Sequence, residues 1–231
     1  MKVLVMAKAP VAGAVKTRMC PPLHLSEAAE LAAAALADTL QVVASSGADE
    51  QWIALDGHPG EWLPPGFTVI AQRGATFAER LENAWEHVGG PTLQIGMDTP
   101  QISTGLLQRS FAALEASPGA VLGHADDGGW WALGMLRAQP GVFRDIPMST
   151  PATGERQADR LRELGLGPGL LPPLVDVDEW AHAVAVAGQV PGTQFGRCVA
   201  GLADRVAQRS LAQGTDAISR GGPGATAVEE P

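Results

Sequence analysis

Residues 1–18 read MKVLVMAKAPVAGAVKTR. Val3-Leu4-Val5-Met6-Ala7 is a continuous apolar run, the pattern of a strand covered on both faces, as strands of parallel sheets are. Lys8 ends the run, and Pro10 and Gly13 then exclude a regular element before Lys16, Thr17 and Arg18. From Ser26 onward, Leu31, Ala35, Leu36, Leu40 and Val43 recur three and four positions apart, which predicts a helix starting at Ser26. Buried strand, glycine-bearing loop and amphipathic helix, in that order, open an α/β domain with a largely parallel sheet.

The rest of the chain repeats this rhythm. Gln51–Leu55 and Phe67–Ile70 read as strands, and Phe77–Val88 as a helix with Leu81, Trp85 and Val88 on one side. Thr92–Ile95 is a further strand, ended by Gly96-Met97-Asp98-Thr99-Pro100, and Ser103 is placed to cap a helix carrying Leu106, Leu107, Phe111 and Leu114. Ala120–Gly123 and Trp130–Met135 are strands whose connection is too short for a crossover helix, so the sheet is mixed there. Thr153–Leu164 is predicted helical, Leu174–Val177 a last short strand, and Glu179–Ala187 a helix. An amphipathic helix over Phe195–Leu211 turns Val199, Leu202, Val206 and Leu211 inward, and Gly214–Pro231 has the composition of a flexible tail. The expected organisation is one catalytic-size domain over 1–190, a helical appendage over 191–213 and a tail over 214–231.

The 231 residues carry a formal charge of -9, which argues against a binder of nucleic-acid polymers, since that task needs a distributed basic surface. It leaves room for one nucleotide in one local basic pocket. No uncharged apolar stretch approaches 18 residues, and the apolar run at the N-terminus is too short for a secretory signal core, so no transmembrane association is expected. Cys20 and Cys198 show no metal-finger spacing and fit a reduced, cytoplasmic setting more simply than a structural disulfide.

All three lysines, Lys2, Lys8 and Lys16, fall within the first 18 residues, with Arg18 beside them and no acid among them. Lys8, Gly13, Lys16, Thr17 and Arg18 follow the carboxyl end of the first strand, where open α/β sheets bind ligands. Gly13 permits close backbone approach, and the cations can neutralise a diphosphate. Ordinary solvated surface cations are the alternative reading; neither a Walker loop nor GxGxxG is present.

Asp98 follows the strand Thr92–Ile95 in a position to coordinate a divalent cation, or to make an Asx turn before Ser103. Asp126 and Asp127 precede Gly128-Gly129, where adjacent carboxylates can divide cation binding from orienting an acceptor hydroxyl, and where a plain tight turn would look similar. Trp130 and Trp131 follow; one of them faces the core because successive strand residues point to opposite sides. Asp176 and Asp178 either approach the same metal or, in Asp178-Glu179, begin a helix against its dipole. His124 is a candidate for positioning a substrate or for acid–base chemistry. The other histidines form no ligand spacing.

Four segments carry a family resemblance. AKAPVAGAVKTRM resembles an AKxPxxGxVKTRL pattern, GMDTPQIS a GxDxPxL segment, GHADDGGWWALGM a GPxxDGGYxLIGL segment, and LVDVDEW a DvDTpeDl segment; Asp38-Thr39, Gln72-Arg73-Gly74 and Ser149-Thr150 are lesser matches. Together they identify the chain as resembling the bacterial DUF2064 family of glycosyltransferase-like proteins, over about residues 1–187. The resemblance implies a GT-A or nucleotide-diphospho-sugar transferase-like three-layer α/β sandwich with a mixed, mostly parallel sheet. By matched position it implies a nucleotide- and phosphate-binding set of Lys8, Pro10, Gly13, Lys16, Thr17, Arg18 and Arg73. It implies a metal-associated Asp98 and a DGG signature at Asp127, Gly128 and Gly129; together with the reading of the residues themselves, the expected site is Asp98, Asp176 and Asp178 for the metal, Asp127, Asp126 and His124 for catalysis, and Gly128, Gly129 and Trp130 for the acceptor pocket. Trp130 stands where the family has Tyr, and His124 where Pro is common.

The expected cofactor is magnesium or manganese, and the expected partners are a nucleotide-activated small-molecule donor and a small acceptor, in a monomer or homodimer. Sugar transfer from a nucleotide-diphospho-sugar is the first reading. Nucleotidyl transfer to a small phosphorylated acceptor with release of pyrophosphate is the second. A non-catalytic nucleotide-binding module is the third.

Overall fold

Seven strands form one sheet in the order β3-β2-β1-β4-β6-β5-β7: β1 Lys2–Lys8, β2 Glu50–Asp56, β3 Phe67–Ala71, β4 Thr92–Ile95, β5 Ala120–Ala125, β6 Trp130–Met135 and β7 Gly169–Leu174. Among these strands only β6 runs against the rest, pairing antiparallel with β4 and β5. The computed structural model describes residues 1–219. Six α-helices accompany the sheet: α1 Leu25–Ala44, α2 Phe77–Val88, α3 Thr104–Ala116, α4 Thr153–Glu163, α5 Trp180–Ala187 and α6 Gln194–Ser219.

The alternation read from the sequence builds three layers. Val3, Val5, Ile53, Leu93 and Ile95 meet α1 and α3 through Ala32, Leu36, Leu40, Leu107 and Leu114. On the other face Leu4, Met6, Leu122, Leu133 and Met135 meet α2 and α4 through Leu81, Trp85 and Leu161. The fold is thus the three-layer α/β sandwich with a mixed, mostly parallel sheet that the sequence predicts. No helix among the described residues is long and apolar enough to cross a membrane.

A third cluster lies to one side. Met19, Leu23 and Leu31 pack with Val177, Ala183 and Val186 and with Phe195, Val199 and Leu202 of α6. Asp38 on α1 caps α6, its carboxylate accepting from Gln194 N at 3.1 Å and Phe195 N at 2.7 Å. Farther along, Arg209 donates to Glu27 from Nη1 at 2.7 Å and from Nη2 at 2.8 Å. Arg205 Nη2 donates to both oxygens of Glu30 at 2.9 Å.

Four details differ from expectation. The last strand is Gly169–Leu174, and Val175 to Asp178 form a loop. Pro172 and Pro173 argue against a strand in the sequence, yet β7 is an edge strand and its register with β5 shifts across these two residues, so the missing N–H groups fall where a strand tolerates them. Helix α1 starts at Leu25, one residue before Ser26, because Glu27 Oε2 accepts from His24 N at 2.9 Å and makes His24 the cap. Leu211, expected inward, is 73% exposed, since α6 runs past the elements it packs on. The tail expected from Gly214 begins within α6; residues 220–231 lie outside the described residues.

Candidate functional site

Strands β1, β4, β5 and β7 end at one edge of the sheet, and β6 starts there because it runs the other way. Four loops therefore share that edge: 9–18, 96–103, 126–129 and 175–179. Carboxyl edges of such sheets are where ligands bind. Here the loops enclose an open cleft of about 870 Å³.

Lys16 is at the centre of its charged end. Its backbone is left-handed, with φ 50° and ψ 32°, a region that non-glycine residues occupy under tertiary constraint. The constraint is visible at the ammonium: it lies 2.5 Å from Asp98 Oδ1 and 3.3 Å from Asp178 Oδ1, and it donates to the Val177 carbonyl. The side chain is 8% exposed. Burial works against the charge of Lys16, and Asp98, Asp178 and Asp176 outweigh it, holding its pKa above the usual lysine value. Arg18 stands outside this pair, largely in solvent, and donates from Nη1 to Asp178 Oδ2 at 2.9 Å.

Asp127, Asp176 and Asp178 each bring a carboxylate oxygen into one group, all within 4.8 Å of one another. Three hard oxygen donors suit magnesium or manganese better than a soft metal. Burial, and then the negative charge of Asp98, pushes the Asp176 carboxyl up to about 8; Asp178 and Asp127 add to the rise and Lys16 opposes it. A carboxyl in that condition gains most from an added positive charge, so the residues present fit a divalent cation. Asp98, expected among the metal residues, is paired with Lys16 and is not one of these three; Asp127, expected to be catalytic, is.

Backbone bonds lock the loops together. Val177 N donates to Asp98 O at 2.8 Å, joining the loop after β7 to the loop after β4. Asp126 N donates to Leu174 O at 3.1 Å, joining the hairpin to β7. Within the hairpin, Asp127 Oδ1 accepts from Gly129 N at 2.8 Å, an Asx turn. Gly128 has φ 87°, and a Cβ there would stand 2.1 Å from the Pro151 carbonyl oxygen. Gly154, at the start of α4, donates from its N to Gly128 O at 2.8 Å. The two glycines let α4 press directly on the hairpin.

The sequence-predicted residues divide accordingly. Lys8, Thr17, Gly129 and Trp130 line the cleft together with Lys16, Arg18 and the four aspartates 98, 127, 176 and 178. Pro10, Gly13, Arg73, Asp126, His124 and Gly128 do not. Gly13 supplies a turn at φ 82°. Arg73 is exposed, and its carbonyl accepts from Asn83 Nδ2 at 2.8 Å. Asp126 is exposed, and His124 packs beside Gly154, whose Cβ position would be 2.7 Å from its Nδ1. Trp131 is the core tryptophan of the pair, 3% exposed.

Three cleft residues carry no role in the reading of the sequence, although Thr99 and Gln72 fall within matched segments. Thr99 is 2% exposed, and its Oγ1 has no partner among the described residues. Gln72 and Gln94 also line the cleft. For Gln94 a signal exists in the sequence: it is the polar member of an otherwise apolar strand interior, Leu93-Gln94-Ile95.

Comparison with solved structures places the fold among nucleotide-diphospho-sugar transferases and nucleotidyl transferases. A provisionally named nucleotide-diphospho-sugar transferase from Desulfovibrio desulfuricans superposes with TM-score 0.81 at 23% identity, over 90% of this chain and 96% of the other. A nucleotidyl transferase from Methanothermobacter thermautotroptrophicus gives TM-score 0.55 at 16% identity, over 85% and 98%. A 4-diphosphocytidyl-2C-methyl-D-erythritol synthase from Anaerococcus prevotii gives TM-score 0.52 at 9% identity, over 82% and 96%. A search of curated proteins finds no match. The chain belongs to the DUF2064 family, described as an uncharacterized protein conserved in bacteria, whose family model matches residues 28–150. That segment holds Asp98 and the Asp126–Trp130 hairpin; Lys16, Asp176 and Asp178 lie on either side of it.

Proposed function

We propose that this protein is a divalent-cation-dependent transferase using a nucleotide-activated donor, and that it moves a sugar from a nucleotide-diphospho-sugar to a small acceptor. The observation that carries the reading is the meeting of Asp127, Asp176 and Asp178 beside Lys16 and Arg18 in one cleft. Opposite charges gathered this way match a metal-diphosphate, whose negative charge no apolar cleft would tolerate. Asp127, Asp176 and Asp178 would hold magnesium or manganese, which when bound offsets diphosphate charge. Lys8, exposed at the end of β1, and Arg18 orient the phosphates from the rim. The likeness to the Desulfovibrio protein supports sugar transfer.

The likeness to the Methanothermobacter nucleotidyl transferase supports a second reading, in which the donor is a nucleoside triphosphate and pyrophosphate leaves. Thermal-shift screening of UDP-, GDP-, ADP- and CDP-linked compounds and nucleoside triphosphates, with and without manganese, tests both. Manganese-dependent stabilisation by a nucleotide is expected. Failure of every nucleotide would sink both readings. Separate detection of nucleoside diphosphate and pyrophosphate in turnover assays decides between them.

A further inference from the structure

The cleft has a second end, where it dips between the sheet and α2, and there the chemistry changes from charged to neutral. We infer that this floor is a subsite for an uncharged, hydroxyl-bearing ring, a hexose joined to the diphosphate, and that Gln94 sets its specificity. The inference rests on the transferase reading above and adds to it the residue that recognises the transferred group.

Gln94 lies in the middle of the sheet, in register with Leu4 on β1 and Leu133 on β6, and is 2% exposed. A buried amide in a leucine row is costly unless its polar atoms are used. Its Oε1 accepts from Trp85 Nε1 on α2 at 2.5 Å. An indole N–H can only donate, so this bond fixes the amide, with oxygen toward Trp85 and nitrogen away from it. Among the described residues Nε2 has no partner, and Gln94 lines the cleft. The protein thus presents an oriented N–H donor pair at the floor.

Gln72 supplies the complement. Its Nε2 donates to Ala7 O at 2.9 Å and to Ala54 O at 3.0 Å, which uses both amide hydrogens. Its Oε1 accepts nothing among the described residues, and Gln72 lines the same cleft. A fixed donor and a fixed acceptor suit hydroxyl groups, which both give and take a hydrogen bond.

The walls and the charges agree with a neutral ring. Met6, Met148 and Trp130 line this end, and Trp130 is stacked on Phe143 at 6.4 Å, which fixes its ring as a flat apolar surface. Arg80, the guanidinium lining this wall, is neutralised by Asp56 at 2.9 Å and donates from Nε to Gly74 O at 3.3 Å. A second phosphate would find no unpaired guanidinium here. Gln94 precedes Asp98 by four residues and Trp130 follows Asp127 by three, on adjacent strands. The floor therefore adjoins the acidic group, as a subsite for a ring joined to the diphosphate requires.

Isothermal titration of the whole chain with manganese present tests this, comparing UDP, GDP, ADP and CDP with UDP-glucose, GDP-mannose, ADP-glucose and CDP-glucose. Gln94→Met conserves volume and removes both polar atoms, whereas Trp85→Phe leaves the amide in place but unoriented. One sugar nucleotide should bind more tightly than its own diphosphate. Gln94→Met should weaken that conjugate about three- to tenfold, the scale of one or two net hydrogen bonds, and leave the diphosphate unchanged. Trp85→Phe should shift it in the same sense by less.

Equal losses for conjugate and diphosphate would show Gln94 reading the nucleoside, ribose or base, and would overturn the inference. A wild type that gains nothing from any hexose would overturn it while leaving the transferase reading standing. Silence toward every nucleotide would overturn both. If Gln94→Met fails to fold, Gln94→Glu keeps an acceptor for Trp85 and allows the same comparison.

Discussion

Lys16 Nζ lies 2.5 Å from Asp98 Oδ1, and the same ammonium reaches Asp178 Oδ1 at 3.3 Å. One buried cation therefore compensates two loops that enter the cleft from different strands. Lys16→Met would leave those carboxylates facing one another. A loss of about 1–3 kcal/mol is expected, less than for a fully buried pair because Asp98 and Asp178 remain about a third exposed. Manganese should then stabilise the variant more than the wild type, because the lysine no longer shares Asp178. Urea denaturation with and without manganese measures both quantities; a variant as stable as wild type would remove Lys16 from this role.

Asp176 tests the acidic group from the other side. Its carboxyl is disfavoured as an anion by burial and by Asp98. Asp176→Asn should leave the metal-free protein at least as stable as wild type, while the manganese-induced rise in Tm disappears. Retention of the full rise would show that the cation sits elsewhere.

Gly128→Ala should be far more damaging than a typical surface change. The added Cβ would meet the Pro151 carbonyl at 2.1 Å, on a backbone with φ 87°. We expect about 2–4 kcal/mol of destabilisation and a loss of manganese response, since Asp127 is the preceding residue. Thermal melts and manganese titration of the variant check this, and a near-wild-type Tm would contradict the clamp between hairpin and α4.

Glu27 gives the pH dependence. Its hydrogen bonds to Arg209, opposed by burial and aided by His24 N, hold the carboxyl below its ordinary value of 4.5. A depressed carboxyl stabilises the fold above the unfolded pKa and loses that contribution as pH falls through the folded one. Glu27→Gln should therefore cost about 1.5–3 kcal/mol at pH 7, the scale of hydrogen bonds to a charged group. The gap from wild type should close below about pH 4. Paired denaturation curves across that range would show it; a gap independent of pH would assign the effect to packing.

Much of the architecture was legible because the strands are short apolar runs and the helices have clear periodicity. Ser103 shows how local that information is: its Oγ accepts from Leu106 N at 3.2 Å, as a capping serine should. Strand β7 was not legible, because Pro172 and Pro173 are compatible with a strand only at an edge with an irregular register, and both are properties of the whole sheet. The sites divide in the same way. Acids at strand ends pointed to the edge where the structure gathers them, but spacing along the chain does not say that Lys16 would bind Asp98 or that Asp127 would join Asp176 and Asp178. Those pairings depend on contacts across some 50 to 80 positions. Gln94 was read only as part of a strand, since its meaning lies in Trp85 on another element.

Val177 gives the last helix a part in this geometry. Its side chain belongs to the cluster that includes Phe195, Val199 and Leu202, while its backbone meets Asp98 O and the Lys16 ammonium. The two neighbouring aspartates are thus hung from a peg driven into a separate wall. The acids and the back of the molecule share one residue, so a substitution that loosens the packing under α6 is expected to loosen the cleft's acidic side as well.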